Sequence, residues 1–405
     1  LLINQTFEID SCDDVELNIK RTSKLEYRIS YDDEKDIKAI VFVIGGYGAN
    51  ANISFLDFDR EYIAKNFDVV VVHVFYHCFC ARISNNKKYS ASISFMEEDL
   101  LSLSKILLDF GINPQNLDCK NSTKYYELLI QHIITLKSQG KLAQNYQAKF
   151  TSTFIPPNGD YQNYGIMAAI DHINALKDLV KRFPKLADLP KIYGGGGSYG
   201  GYLALLIAKI APWYVDGVID NSGTVLPLLE CIIGKDLSRP EFFFSDLNKL
   251  VGMFIKTYWT REDERLSYFF TNENYMIRSL LNSSHLTIQA SVNKNIILVS
   301  YHSLKDPFNT AKDKQTLFLA YKELGYDATL HLIKDESEID GRFIKDLNHG
   351  MRITDKALFR KELPLMLEKL QGRKSFMQEN SISYPCGNKV FTFKDVENQL
   401  KLIIN

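Results

Sequence analysis

Between residues 193 and 210 the chain reads YGGGGSYGGYLALLIAKI, six glycines around a single serine. The run fits two unrelated chemistries. Gly195, Gly197 and Gly200 satisfy G-x-G-x-x-G, a turn that brings a helix N-terminus against a dinucleotide pyrophosphate, with Asp220 about 20 residues on, where a ribose-binding acid would stand. Gly196, Ser198 and Gly200 satisfy G-x-S-x-G, the sharp strand-to-helix turn that holds a serine strained and exposed as a nucleophile. With 22 glycines in 405 residues, either motif can arise by chance, so the rest of the chain must decide.

The nucleophile reading makes three demands that the phosphate reading does not: an oxyanion loop after an earlier strand, an acid after a later one, and a histidine after the last. VIGGYG places Gly45, Gly46, Tyr47 and Gly48 after a buried apolar run, where backbone N–H groups can face a developing oxyanion. HSLKDPF places Asp306 just past a strand, and LNHGM places His349 in the loop after the next. The expected roles are Ser198 as nucleophile, His349 as proton shuttle and Asp306 as the group that orients the imidazole. Asp220 is the alternative acid. Tyr199 and Tyr47 are the favoured oxyanion N–H donors, with Gly46 the alternative to Tyr47. Side chains at Gly196, Gly200 or Gly201 would collide with the adjoining strand and helix. A dinucleotide fold usually carries its fingerprint in its first strand–helix unit, yet two buried strands precede this one.

Residues 6–33 alternate in the manner of a strand meander, in TFEID, VELNIKR and KLEYRISYDD. AIVFVIGG, VVVVHVF, LPKIYG, VDGVIDN and NIILVSYH are near-continuous apolar runs suited to strands buried on both faces, interleaved with helical patterns at 57–67, 161–183, 198–210, 311–324 and 354–371. The expected fold is α/β: a mostly parallel central sheet, antiparallel N-terminal strands, helices on both faces and helical insertions forming a cap. We read one domain over 1–405, with a helical insertion at 79–160, an aromatic-rich lid at 224–292 and a closing hairpin at 380–405.

Other candidates have bland readings beside them. His73 and His77 share a strand face but lie about 13 Å apart at ~3.3 Å per residue, too far for one metal ion, so no metal is expected. His77 leaves the carboxyl end of a strand and can line the site. Arg82 lies in CARISNNKKYS, which is either a solvated loop or a grip on an acidic substrate such as a carboxylated sugar. The 48 basic and 49 acidic residues give no global field for nucleic acid. No run reaches the ~18 apolar residues of a membrane span. Six scattered cysteines point to a reducing cytoplasm rather than a disulfide scaffold.

The segments GGSYGG, IGGYG, HSLKD and NHGM resemble those of the α/β-hydrolase superfamily, with its peptidase and acyl-esterase branches, over residues 37–372. IAKIAPWYVDGVIDNSG and HLIKDESEIDG resemble a bacterial family known as domain of unknown function 2920, across the whole chain. The resemblance implies the fold and the Ser198–Asp306–His349 triad, but no substrate. One departure is Gly45, which stands where the commoner oxyanion motif has histidine. The expectation is a cofactor-free serine hydrolase cleaving an ester or related acyl bond of a small acylated molecule, a sugar ester among them. An acyltransferase with the same triad and a catalytically silent binding protein are the alternatives.

Overall fold

The computed structural model describes residues 1–48 and 53–405; residues 49–52, the far end of the glycine-bearing loop, lie outside the described residues. In chain order the elements are β1 (Leu2–Ile9), β2 (Leu25–Asp32), β3 (Ala39–Val43), α1 (Ile53–Asn66), β4 (Val69–Phe75), β5 (Ser92–Ser94), α2 (Glu97–Asp109), α3 (Ser122–Ser138) and β6 (Ala148–Ile155). There follow α4 (Ile166–Arg182), β7 (Lys191–Gly195), α5 (Tyr199–Ile210), β8 (Gly217–Asn221), α6 (Glu230–Ile233), β9 (Phe242–Ser245), β10 (Lys249–Ile255), α7 (Asn272–Arg278) and α8 (Ser283–Val292). The chain ends with β11 (Ile297–Ser303), α9 (Ala311–Glu323), β12 (Asp327–Ile333), α10 (Asp355–Lys369), β13 (Ser381–Cys386), β14 (Lys389–Val396) and β15 (Gln399–Ile404). They fall into two compact units, one of residues 1–79, 164–227 and 271–405, the other of 80–163 and 228–270.

The first unit is built on an eight-stranded sheet in the order β1-β2-β4-β3-β7-β8-β11-β12. β1 pairs antiparallel with β2 and β2 pairs antiparallel with β4, and every later neighbour pairs parallel. A parallel interior covered by helices must be apolar on both faces, and β3, β4, β7, β8 and β11 are buried at every residue. Period-two alternation sorts their side chains. Val41, Val43, Ile192 and Ile219 join Ile63 of α1 and Leu358, Phe359 and Met366 of α10 in one core layer. Phe42 stacks on Tyr193 at 4.6 Å and meets His172 of α4 at 6.1 Å on the opposite face. Helix α5 lies beneath that face with all twelve residues buried, and the ammonium of Lys209 is satisfied by the carbonyls of Ile277 and Ser279, each at 2.8 Å.

Four expectations are corrected here. VELNIKR is not a strand; the stretch makes only a bridge between Asp14 and Ile19. The C-terminal tail is a three-stranded antiparallel sheet, β13-β14-β15, rather than a hairpin. The insertions are not purely helical, because the second unit carries a four-stranded sheet, β5-β6-β10-β9, beside α2, α3 and α6. β6 and β10 pair in parallel although Ala148 and Lys249 come from separate insertions. Helices α7 and α8, read from sequence as part of the lid, belong to the first unit. Among the described residues, no helix is long and apolar enough to cross a membrane, and none of the six cysteines is disulfide-bonded.

Candidate active site

The chain leaves β7 at Gly195 and enters α5 at Tyr199, and Ser198 makes the corner. Its backbone sits at φ 77°, ψ −80°, and the Tyr199 N–H donates to the Gly197 carbonyl at 2.9 Å across it. This is the positive-φ γ-turn, a rare and strained conformation for any residue with a Cβ. Gly197 is exposed and Ser198 half-buried, so the serine stands at the sheet edge ahead of the N-terminus of α5, where the helix dipole favours negative charge.

The corner closes because neighbouring backbones come very near it. A Cβ on Gly195 or Gly200 would overlap the Ile44 carbonyl, and one on Gly201 would overlap the Asp220 carboxylate. Gly46 lies against Gly197 with no room for a side chain between them. Tyr47 follows, its ring meeting that of Tyr199 edge-on at 5.2 Å. The loop after β3 therefore reaches the corner, as an oxyanion loop must.

Asp306 and His349 are brought together as a pair. His349 Nδ1 and Asp306 Oδ2 are 2.7 Å apart; the aspartate side chain is fully buried, whereas the imidazole is 20% exposed. Asp306 also accepts the N–H groups of Phe308 at 2.8 Å and Asn309 at 3.1 Å. Burial pushes its carboxyl up, but the His349 ring and those two donors outweigh burial and leave it below the ordinary carboxylate value. Phe308 stands edge-on to His349 at 5.2 Å.

Two side chains that the sequence reading passed over tie these loops to the corner. Asn221, the last residue of β8, accepts the Ser198 N–H on its carbonyl at 3.2 Å and donates from Nδ2 to the Gly350 carbonyl at 3.1 Å. Ser303, the last residue of β11, donates to the Leu347 carbonyl at 2.6 Å. Both are polar residues at the carboxyl ends of otherwise apolar buried strands, and that position is the signal that could have found them.

The remaining candidates are engaged by other partners. Asp220 is buried in an ion pair with Lys314 and accepts from Ser300 Oγ at 2.6 Å and from the Gly223 N–H at 2.8 Å, so it faces neither His349 nor a ribose. His77 is buried, its N–H donating to Asp171 at 2.8 Å. Arg82, in the second unit, pairs with Glu241 at 3.0 Å and lies over the rings of Phe154 and Phe242 at 5.0 and 5.4 Å. His73 is buried, which holds its imidazole well below the ordinary value, with Arg60 and Arg28 adding to the drop. Among the described residues, no group of His, Cys, Asp or Glu is arranged to hold a metal ion.

The sheet order, with its antiparallel strands at one end, a serine corner between β7 and α5, an acid after β11 and a histidine after β12, defines an α/β-hydrolase fold. Within that class the chain belongs to the family described as "Protein of unknown function (DUF2920)", whose model matches residues 5–404. Comparison with curated proteins returns no match. Among solved structures, the chain is similar to an acylaminoacyl peptidase of Pyrococcus horikoshii, at 14% identity and a TM-score of 0.44 over 94% of this chain and 43% of that one. It is similar to a puromycin-hydrolyzing peptidase of Mycobacterium tuberculosis, at 12% identity and 0.43, over 93% and 40%. A ferulic acid esterase aligns at 9% identity and 0.41, over 91% and 98%. The chain thus spans less than half the length of the two peptidases.

Proposed function

We propose that this protein is a serine hydrolase that cleaves an ester or related acyl bond through an acyl-enzyme. The observation that carries the reading is the strained Ser198 corner tied through Asn221 to the loop that bears the Asp306-paired His349. Ser198 Oγ attacks the acyl carbon as His349 Nε2 takes its proton, and the C–O bond to the leaving group breaks as His349 returns that proton. Asp306, accepting from Nδ1–H, holds the tautomer that leaves Nε2 free to act as base and stabilises the imidazolium. Water then attacks the acyl-enzyme by the same route in reverse.

The oxyanion is assigned to the N–H groups of Tyr47 and Tyr199, with Gly46 serving as the close-packed residue that lets the loop approach. The Tyr199 N–H already bonds the Gly197 carbonyl, so an oxyanion shares or takes over this donor. The substrate class is a small acylated molecule. The engagement of Arg82 with Glu241 takes away the sequence-level argument for a carboxylated sugar and leaves neutral acyl esters, sugar esters included, as the first compounds to screen.

Labelling with a fluorophosphonate probe, read by intact mass, tests the reading. We expect one adduct on the wild type, none on Ser198→Ala, and a loss of labelling on His349→Ala. A folded wild-type protein that takes no adduct, or an adduct that survives Ser198→Ala, overturns it.

A further inference from the structure

Beyond the last residue of β7, the next backbone donor is taken by a side chain: the Gly196 N–H donates to Asp355 Oδ1 at 2.6 Å. Asp355 opens α10, yet that helix is already capped by Thr354, whose Oγ1 accepts the Ala357 N–H at 3.2 Å. Its carboxylate is therefore free of the usual first-turn duty and reaches across to the corner instead. The approach is possible only because residue 196 is glycine, since a Cβ there would overlap Asp355 Oδ1. The start of α10 is itself held on α1, with Lys356 Nζ over the rings of Phe58 and Tyr62 at 4.9 and 4.1 Å.

Asp355 stands six residues after His349, on a short, tightly wound segment. Gly350, Met351 and Arg352 carry φ values of 75°, 51° and 51°, and the Met351 and Ile353 N–H groups turn back onto the carbonyls of Asn348 and Gly350 at 2.9 and 3.0 Å. Met351 and Ile353 are buried in the core layer beneath. One rigid stretch thus carries both the proposed base and a grip on the proposed nucleophile's turn. Asn221 grips the same stretch at Gly350, so two hydrogen bonds, Asn221 Nδ2 to Gly350 and Gly196 to Asp355, close the corner onto it.

Resting on the hydrolase reading, we infer that Asp355 is a positioning residue: by holding the Gly196 N–H it sets where Ser198 stands relative to His349. The residue is half-buried, yet enclosure of its carboxyl pushes it up to about 7, with Asp59 of α1 adding to the rise and the Gly196 N–H opposing it. Protonated or ionised, Oδ1 remains an acceptor, which makes asparagine its fair replacement.

The test compares Asp355→Ala and Asp355→Asn by the rate of fluorophosphonate labelling and its saturation constant, and by amide hydrogen exchange over residues 193–200. In the alanine variant we expect labelling slowed on the order of 10–100-fold with the saturation constant unchanged, because a small displacement of a reacting group costs that much. Exchange at the corner should accelerate in the same variant, while Asp355→Asn recovers the greater part of both. Should the alanine variant not fold, Asp355→Ser, whose side chain falls short of Gly196, takes its place. Wild-type labelling in the alanine variant, or an asparagine variant as slow as alanine, overturns the assignment. If the wild type itself takes no probe, the hydrolase reading fails separately. Exchange then decides, and an unchanged corner in Asp355→Ala overturns the positioning role.

Discussion

Asp220 and Asp306 sit at the carboxyl ends of neighbouring strands, β8 and β11, with side chains equally closed to solvent. They differ in what meets them. Asp220 faces into the layer under the sheet, where α9 delivers Lys314, itself fully buried, and where Ser300 and Gly223 take up the remaining lone pairs. Asp306 lies one short turn beyond its strand and meets His349, which keeps a fifth of its side chain open to solvent. Burial of a carboxylate therefore does not by itself make it part of a proton relay. What matters is whether its partner can also touch a substrate. His302 lies close to both, with Nε2 3.8 Å from Asp306 Oδ2 and bonded to the Asn309 carbonyl at 3.1 Å. Burial, then the Lys314 charge, keeps its imidazole below the ordinary value.

The contrast can be broken most sharply by removing each charge in turn. Asp306→Asn should lower the labelling or turnover rate on the order of 10⁴-fold, because the amide favours the wrong imidazole tautomer, while the thermal midpoint at neutral pH falls only by what the depressed carboxyl contributes. Asp220→Ala should do the opposite. It strands a buried ammonium, which costs about 3–5 kcal/mol of stability in denaturant titrations, with activity per folded molecule within a few-fold of wild type. If the two phenotypes are exchanged, Asp220 is the acid and the present assignment fails. A double replacement, Asp220→Leu with Lys314→Met, should recover only part of that stability, since it removes the buried ion pair but leaves the Ser300 hydroxyl and the Gly223 N–H without their acceptor.

A subtler separation comes from pH. The folded-state carboxyl of Asp306 lies below its ordinary value, so its contribution to stability is present above the ordinary carboxylate range and lost as pH falls through the depressed value. Asp355, raised to about 7, behaves in the opposite sense: its contribution is present at low pH and lost as pH rises from the ordinary range through about 7. Thermal midpoints followed from acid to neutral pH should flatten on the acid side in Asp306→Asn and on the neutral side in Asp355→Asn. The smallest effect expected is that of Ser300→Ala, which removes one hydrogen bond to the Asp220 carboxylate and should cost about 1.5–3 kcal/mol without changing the labelling rate.

Much of the candidate site was legible because a parallel sheet converts chain order into spatial order. Successive buried strands all point their carboxyl ends at one edge, so a serine, an acid and a histidine placed just after three of them arrive together. The glycines were legible for a related reason: an apolar strand ending in GGGGS leaves a backbone that only close approach can explain. The second unit was not legible in this way. AKFTSTFI does alternate, but β6 finds its parallel partner β10 in a different insertion, and nothing local to either strand names the other. Of the two readings of Arg82, solvated loop or grip on an acidic substrate, the first misses its enclosure, because Glu241 and the rings that cover it come from distant positions.

The sequence by itself determined the serine corner, the order of serine, aspartate and histidine along the sheet edge and the layered α/β architecture, because these follow from residue type, apolar periodicity and chain order. Only the tertiary structure decided which aspartate meets the histidine and which is closed off by a lysine. It also decided that Asn221 and Asp355 close the corner onto the loop that carries His349. Hydrogen bonds and ion pairs depend on separation in space, and Lys314, ninety-four positions from Asp220, becomes its neighbour only when α9 packs against β11 and β12.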